Sequence, residues 1–159
     1  MKTKKIIGLG IFLLITAYIV FIVKGGTEEK DKINWVTLEE AQELSAKAPK
    51  KIFIDVYAQW CTYCKKMDKE ALRNPKVVDY INANYYAIKM DGEDTKKVMF
   101  KGKKTTYQDI VFDLFKVKAY PTLVFMDSGF NTHVSSEGYH STDKLDFILR
   151  DFNEKNRVN

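Results

Sequence analysis

The sequence predicts an α/β domain, a central mixed sheet flanked by helices, preceded by one N-terminal transmembrane helix. Three observations carry this. Apolar stretches rich in β-branched and aromatic residues, near 51–57, 85–90 and 122–126, alternate with amphipathic helical patterns, the order that builds parallel strand–helix–strand units. Asp127-Ser128-Gly129 then turns the chain back, so that 131–137 adds an antiparallel edge. Finally, Ile6 to Val23 is an uncharged apolar run of 18 residues. At ~1.5 Å per residue it makes about 27 Å of helix, close to the hydrocarbon thickness of a bilayer.

Lys2, Lys4 and Lys5 precede that run, whereas 24–32 balances Lys24, Lys30 and Lys32 against Glu28, Glu29 and Asp31. The positive-inside bias therefore leaves residues 1–5 in the cytoplasm, makes 6–23 a signal-anchor and 24–32 a tether, and sends 33–159 outside. A cleavable signal peptide is the competing reading. Its apolar region is normally shorter, and Ala17-Tyr18-Ile19 is a poor cleavage site, although Gly25-Gly26-Thr27 leaves cleavage open. No cysteine follows the run, which excludes a lipoprotein anchor. Outside the membrane, disulfides persist.

Within the outer domain, Thr37-Leu38-Glu39-Glu40 has capping-box spacing and opens a helix to about Lys47, with Leu38, Ala41 and Leu44 inward and Pro49 ending it. Lys51 to Tyr57 is nearly continuously apolar, as a strand covered on both faces should be, with Asp55 the exception. A helix follows from about Cys61 to Leu72. Asn74-Pro75 starts the next, which carries Val77, Val78, Tyr80 and Ile81. Tyr85 to Met90 is the second strand. Residues 92–104 read as a charged loop. Thr106 to Val117 reads as one helix burying Ile110, Val111, Leu114 and Phe115. After the strand 122–126 and its hairpin, Asp143 to Phe152 closes the domain with Leu145, Ile148, Leu149 and Phe152 inward.

The net charge is +5, of which residues 1–32 supply +3, from six Lys against three acids. The domain itself has no basic face, and nucleic-acid binding is not indicated. The local run Lys96, Lys97, Lys101, Lys103 and Lys104 reads as a solvated loop.

The two cysteines, Cys61 and Cys64, stand three positions apart. A zinc site needs four ligands, and the two histidines, His133 and His140, fall on the hairpin strand and the loop after it. Haem attachment needs a histidine where Lys65 stands. A purely structural disulfide across so small a loop stabilises little. A redox dithiol fits best. Cys61 falls at a helix start, where unpaired N–H groups and the helix dipole favour a thiolate, and Cys64 lies one turn on, within reach of a mixed disulfide on Cys61. Lys65 and Lys66 add positive potential or are merely solvated. Trp60 either shields the pair and offers a partner an apolar surface, or packs into the core. Asp55, an acid in an apolar strand, either shuttles the Cys64 proton from a buried position or sits exposed at a strand end. Pro121 at the start of the third strand makes sense if its peptide bond is cis and faces the cysteines.

These residues resemble the thioredoxin family. The resemblance covers roughly Lys32 to Phe152 and rests on Asp55-Val56-Tyr57-Ala58-Gln59-Trp60-Cys61-Thr62-Tyr63-Cys64-Lys65, Asp91, Tyr120-Pro121-Thr122 and Gly138. It implies a thioredoxin fold for 33–159, with Cys61 as nucleophile, Cys64 as resolving cysteine, Pro121 as cis-proline and Asp55 as buried acid. Trp60, Thr62, Tyr63 and Tyr120 are the expected substrate contacts. The chain departs from thioredoxin itself in Thr62-Tyr63 between the cysteines, in Lys65-Lys66-Met67-Asp68 after them, and in a longer segment from Gly92 to Gln108. These features are more similar to bacterial extracytoplasmic thioredoxin-like proteins, including the C-terminal domain of thiol-disulfide interchange reductases. The implied function is a membrane-anchored thiol–disulfide oxidoreductase on the periplasmic side of the cytoplasmic membrane. It would reduce protein disulfides and be recharged by a membrane electron donor. A disulfide oxidase or isomerase is the alternative, and a non-catalytic binding or assembly module the second. No cofactor motif is present beyond the cysteine pair.

Overall fold

In the computed structural model, which describes residues 32–155, the chain enters its sheet at a two-residue strand, β1 (Trp35–Val36). The transmembrane segment expected at 6–23, the residues before it and all but the end of the tether lie outside the described residues. Among the described residues no helix is long and apolar enough to cross a membrane. Thr37 starts α1 (Leu38–Lys47) with both halves of the capping box. Its hydroxyl accepts from the Glu40 N–H at 3.1 Å, and the Glu40 carboxylate accepts from the Thr37 N–H at 2.7 Å. The expected inward face needs one correction. Leu38 and Ala41 are buried, but Leu44 is 38% exposed and Ser45 takes the interior position. The Ser45 hydroxyl is satisfied there by the carbonyls of Lys50 (3.2 Å) and Ser128 (2.8 Å), which the strand start and a distant turn bring to it.

β2 (Lys51–Tyr57) is the central strand, buried from Ile52 to Val56. α2 (Thr62–Glu70) and α3 (Pro75–Asn84) follow, the second capped by Asn74 with Pro75 at its first position, as predicted. β3 (Tyr85–Asp91) pairs in parallel with both β1 and β2. Residues 92–104 correct the sequence reading. They contribute to an antiparallel hairpin, β4 (Lys97–Phe100) and β5 (Lys103–Thr106), rather than a loop. Lys101 and Gly102 turn it with φ of 51° and 75°, the left-handed pair that matches the twist of a two-residue hairpin. α1 closes the outer edge of β4. The Glu39 and Gln42 side chains accept from the N–H groups of Met99 (2.9 Å) and Lys101 (2.8 Å), and the Gln42 amide donates to the Met99 carbonyl (2.9 Å).

The single helix expected over 106–117 is a short α4 (Tyr107–Asp109) continued by a π-helical turn, Ile110–Leu114. In that turn the Phe115 N–H donates five residues back to the Ile110 carbonyl at 3.0 Å. The wider turn keeps Ile110, Val111 and Phe115 inside but rotates Leu114 out to 40% exposure, against the 3.6-residue face. β6 (Thr122–Met126) corrects a further expectation. It runs antiparallel to β2, not parallel as the alternation of elements suggests. The connection from β3 holds a hairpin and two short helical turns, so it returns to the end of the sheet it left. There Asp91 lies opposite Tyr57 and Thr122 opposite Val56. β7 (His133–Glu137) pairs antiparallel with β6, and α5 (Thr142–Lys155) completes the fold.

The five-stranded sheet has the order β1-β3-β2-β6-β7 and is mixed, with helices on both faces. One face packs Ile52, Ile54 and Val56 against Leu38 of α1 and the π turn. The other packs Phe53, Leu123 and Phe125 against α2, α3 and α5. Successive strand residues alternate faces, so Asp55 shares the α2 side with Phe53. This places a carboxyl beneath the helix that carries the cysteines.

Candidate active site

β2 ends at Tyr57, and four residues later Cys61 caps α2. The loop is fixed at both sides. The Cys61 N–H donates to the Ala58 carbonyl at 3.1 Å, and the Gly92 N–H after β3 donates to the Tyr57 carbonyl at 2.8 Å. Cys61 and Cys64 are joined in a disulfide with Cα atoms 5.3 Å apart. The Cys61 sulfur accepts from the Cys64 N–H at 3.0 Å, as an N-cap side chain does. Both residues are buried, and Ala58 with the rings of Tyr57 and Tyr120 packs against them. The first turn of α2 carries no acid, and Lys65 and Lys66 are exposed.

The Tyr120–Pro121 peptide bond is cis. The Pro121 carbonyl accepts from the Gly138 N–H at 2.8 Å, and Gly138 has φ +88°, a backbone shape that favours glycine. The hydroxyl end of Tyr120 packs against Gly92, where an added Cβ would come within 2.3 Å of the hydroxyl. The loop glycine therefore holds room for the tyrosine that leads into Pro121. Trp60 is on the surface, not in the core. It is 66% exposed, its indole N–H donates to both carboxylate oxygens of Glu93 (3.0 and 3.1 Å), and its ring meets the Tyr120 ring edge-on at 5.9 Å. Gln59 donates to Asp91 at 3.0 Å. Thr62 and Tyr63 are exposed between the cysteines, and the Tyr63 ring leans toward Tyr139 at 6.5 Å.

Asp55 is buried rather than exposed at a strand end. One carboxyl oxygen, Oδ1, has no hydrogen-bond partner, and Oδ2 lies 3.9 Å from the Lys89 ammonium. Burial pushes its pKa up to about 7. The Lys89 charge opposes that rise and the Asp68 carboxylate adds to it. Lys89 is Asp55's register partner on β3, pairs with Asp68 of α2, and stands over the rings of Trp35 (5.6 Å) and Tyr57 (5.4 Å). A cavity of about 220 Å³, room for several waters, is lined by Asp55, Cys64, Asp68 and Lys89. A carboxyl poised near neutral pH thus shares a cavity with the second cysteine, an arrangement that can take up or deliver that cysteine's proton.

The chain matches the thioredoxin-like domain family over residues 38–153. It belongs to the thioredoxin-like family. Among curated relatives it is 29% identical over 97 residues to the thiol:disulfide interchange protein DsbD of Haemophilus ducreyi, a match covering 61% of this chain and 15% of that protein. It is 24% identical over 127 residues to a protein disulfide-isomerase of Datisca glomerata, covering 80% of this chain and 21% of that protein. The matched regions thus span about a fifth or less of the curated relatives. Solved structures share the fold: a thioredoxin from Thermus thermophilus (TM-score 0.60, 18% identity, 76% of this chain and 87% of that one) and a DsbH oxidoreductase (0.58, 19%, 79% and 87%). The reduced DsbD C-terminal domain of Neisseria meningitidis also matches (0.53, 18%, 76% and 94%).

The thioredoxin-like fold thus gathers Cys61, Cys64, Pro121, Trp60, Tyr120 and Asp55 at one end of the sheet. Sequence reasoning did not single out Lys89, Asp68 or Glu93 as parts of the site. Lys89 carried a signal of the Asp55 kind, a charge inside an apolar strand. The two histidines stand apart from the site. His133 packs edge-on to Phe115 at 5.1 Å, and buried His140 is bonded to the Ser136 hydroxyl (2.8 Å) and the Gly138 carbonyl (2.7 Å). Among the described residues no group of three or more His, Cys, Asp or Glu is placed to hold a metal ion.

Proposed function

We propose that this chain is a membrane-anchored reductase of protein disulfides, working on the periplasmic side of a bacterial cytoplasmic membrane. The enzyme class, a thioredoxin-like thiol–disulfide oxidoreductase, follows from the family and the Cys61–Cys64 pair. The observation that carries the reading is that pair at the N-terminus of α2 beside cis-Pro121, with the buried Asp55 behind it. The anchor and its orientation rest on the apolar run Ile6 to Val23 and the lysines before it. The reductive direction draws on the resemblance of the residues around Cys61 and Cys64 to thiol-disulfide interchange reductases.

In the reduced enzyme, the Cys61 thiolate attacks one sulfur of a substrate disulfide. An S–S bond forms between Cys61 and the substrate, the substrate S–S bond breaks, and one substrate thiolate leaves. Cys64 then gives its proton to Asp55 and attacks the Cys61 sulfur, releasing the second substrate thiolate. Two electrons pass from the dithiol to the substrate, and the enzyme is left as the disulfide. A membrane-bound dithiol donor restores it by the same exchange in reverse. Trp60, Thr62, Tyr63 and Tyr120 form the surface the substrate meets.

Equilibration of the full chain with glutathione tests the direction. A reduction potential near about −270 mV is expected of a reductant, and one near about −120 mV would reverse the proposed flow. The similarity to a disulfide-isomerase favours a second reading, in which the same steps reshuffle disulfides. A Cys64→Ser variant separates them. It should trap substrates on Cys61 and abolish net reduction, whereas an isomerase would retain rearrangement of a scrambled substrate.

A further inference from the structure

The surface around the disulfide carries both charges. Asp91, Glu93 and Asp94 lie there, with Gln59 and Trp60 hydrogen-bonded to the first two. Next to them, the exposed face of α2 carries Lys65, Lys66 and Lys69 beside Glu70; Lys65 borders the Asp55 cavity with Gln59, and Lys66 stands over the Tyr139 ring. Lys89 and Lys76 are held by acids nearby, but among the described residues none of these three lysines has an acidic partner within salt-bridge distance. Solvated helix lysines are common, but here they accompany a built aromatic surface. Tyr63 is 62% exposed directly between the cysteines. Tyr139 behind it is pinned, its hydroxyl donating to Glu70 at 2.6 Å while the Lys66 ammonium stands 4.9 Å from its ring centre. A fixed tyrosine loses little entropy when a partner packs on it, and aromatic anchors beside unpaired cations suit an acidic polypeptide.

We propose that the α2 flank, Lys65, Lys66 and Lys69 with Tyr63 and Tyr139, is a substrate subsite that receives an acidic segment next to the disulfide under attack. This rests on the oxidoreductase reading and specifies its substrate class: polypeptide disulfides with Asp or Glu near the cysteine. The acids Asp91, Glu93 and Asp94 repel the same segment and so steer it onto the lysines.

The test uses two cyclic cystine peptides, identical except for Glu or Lys at the positions flanking one cysteine. The full chain is the catalyst and dithiothreitol supplies the electrons, with its uncatalysed rate subtracted. At low salt kcat/KM should favour the Glu peptide by about tenfold, the sum of two or three exposed charge pairs. The preference should shrink to within about twofold at about 1 M salt, where screening acts within ~3 Å. A K65E/K66E/K69E variant should reverse it. Equal rates, or a faster Lys peptide, with Cys61–Cys64 reduced normally by dithiothreitol, would overturn the subsite and leave the oxidoreductase reading standing. Failure of dithiothreitol to exchange with the pair would overturn both.

Discussion

α1 and α2 begin with the same geometry and opposite chemistry. At α1, Thr37 caps the helix and Glu40, three residues on, reaches back to it, so that two backbone N–H groups are satisfied reciprocally. At α2, Cys61 is the cap and Cys64 stands at the position of Glu40, three residues on. The spacing that lets a carboxylate meet a hydroxyl's neighbour lets one sulfur meet another. The surroundings differ in the same sense. Around α1, Ser45, Glu39 and Gln42 all find partners. The buried side-chain polar atoms without a partner among the described residues, Asp55 Oδ1 and the Tyr120 hydroxyl, both lie beside α2. One helix start is arranged for stability, and the other keeps reactive groups unsatisfied.

The sharpest way to break the comparison is to give α2 an ordinary cap. Cys61→Ser should lower disulfide turnover by at least about a thousandfold, since the covalent nucleophile is gone. The same variant should leave the unfolding free energy within about 1 kcal/mol of the reduced wild type, because serine caps helices well. A large loss of stability would mean that the sulfur holds the helix in place.

Asp55→Asn should show the cost of the unsatisfied side. The folded carboxyl keeps its proton up to about pH 7, while in the unfolded chain it loses it near 3.8. Between these limits the folded state binds more protons, so wild-type stability falls as pH rises through the window. Removing the charge should therefore stabilise the protein by up to about 4 kcal/mol at pH 8 and by almost nothing at pH 4. Urea unfolding at the two pH values checks this, and an equal effect at both would rule out the titration as its source.

Thr37→Ala should destabilise by about 1 kcal/mol and leave the Cys61–Cys64 reduction potential unchanged, which thermal unfolding and glutathione equilibration would measure. The smallest change expected is in Tyr120→Phe. Deleting a buried hydroxyl without a partner should be neutral or stabilising by less than about 1 kcal/mol. A clear destabilisation would show that the hydroxyl has a partner in solution.

The local devices of both helix starts were legible in the sequence, since a cap and its N3 residue are neighbours in the chain. So were the central strand, the Asn74-Pro75 start and the grouping of Cys61, Asp55 and Pro121. What escaped depends on distant partners. Val98 and Thr106 are the buried residues of the 97–106 hairpin, which otherwise presents exposed or half-buried side chains, and its edge is paired by Glu39 and Gln42, about 60 positions away. Leu44 and Leu114 were misplaced because a serine found two carbonyls and a helix widened into a π turn. The direction of β6 is set by its long connection, and an apolar run reads the same both ways. Lys89 and Asp68 join Asp55 through register and helix packing that no local pattern encodes.

The side chains of Glu39 and Gln42 also guard a sheet edge. A sheet edge with free donors and acceptors invites a strand from another molecule, and this is a common start of aggregation. On β4 and the turn after it, the Met99 and Lys101 N–H groups and the Met99 carbonyl are already taken by side chains of the same molecule. That border is closed to recruitment, and the flanking lysines repel a second copy. At Met99 that border offers a second copy no free donor or acceptor.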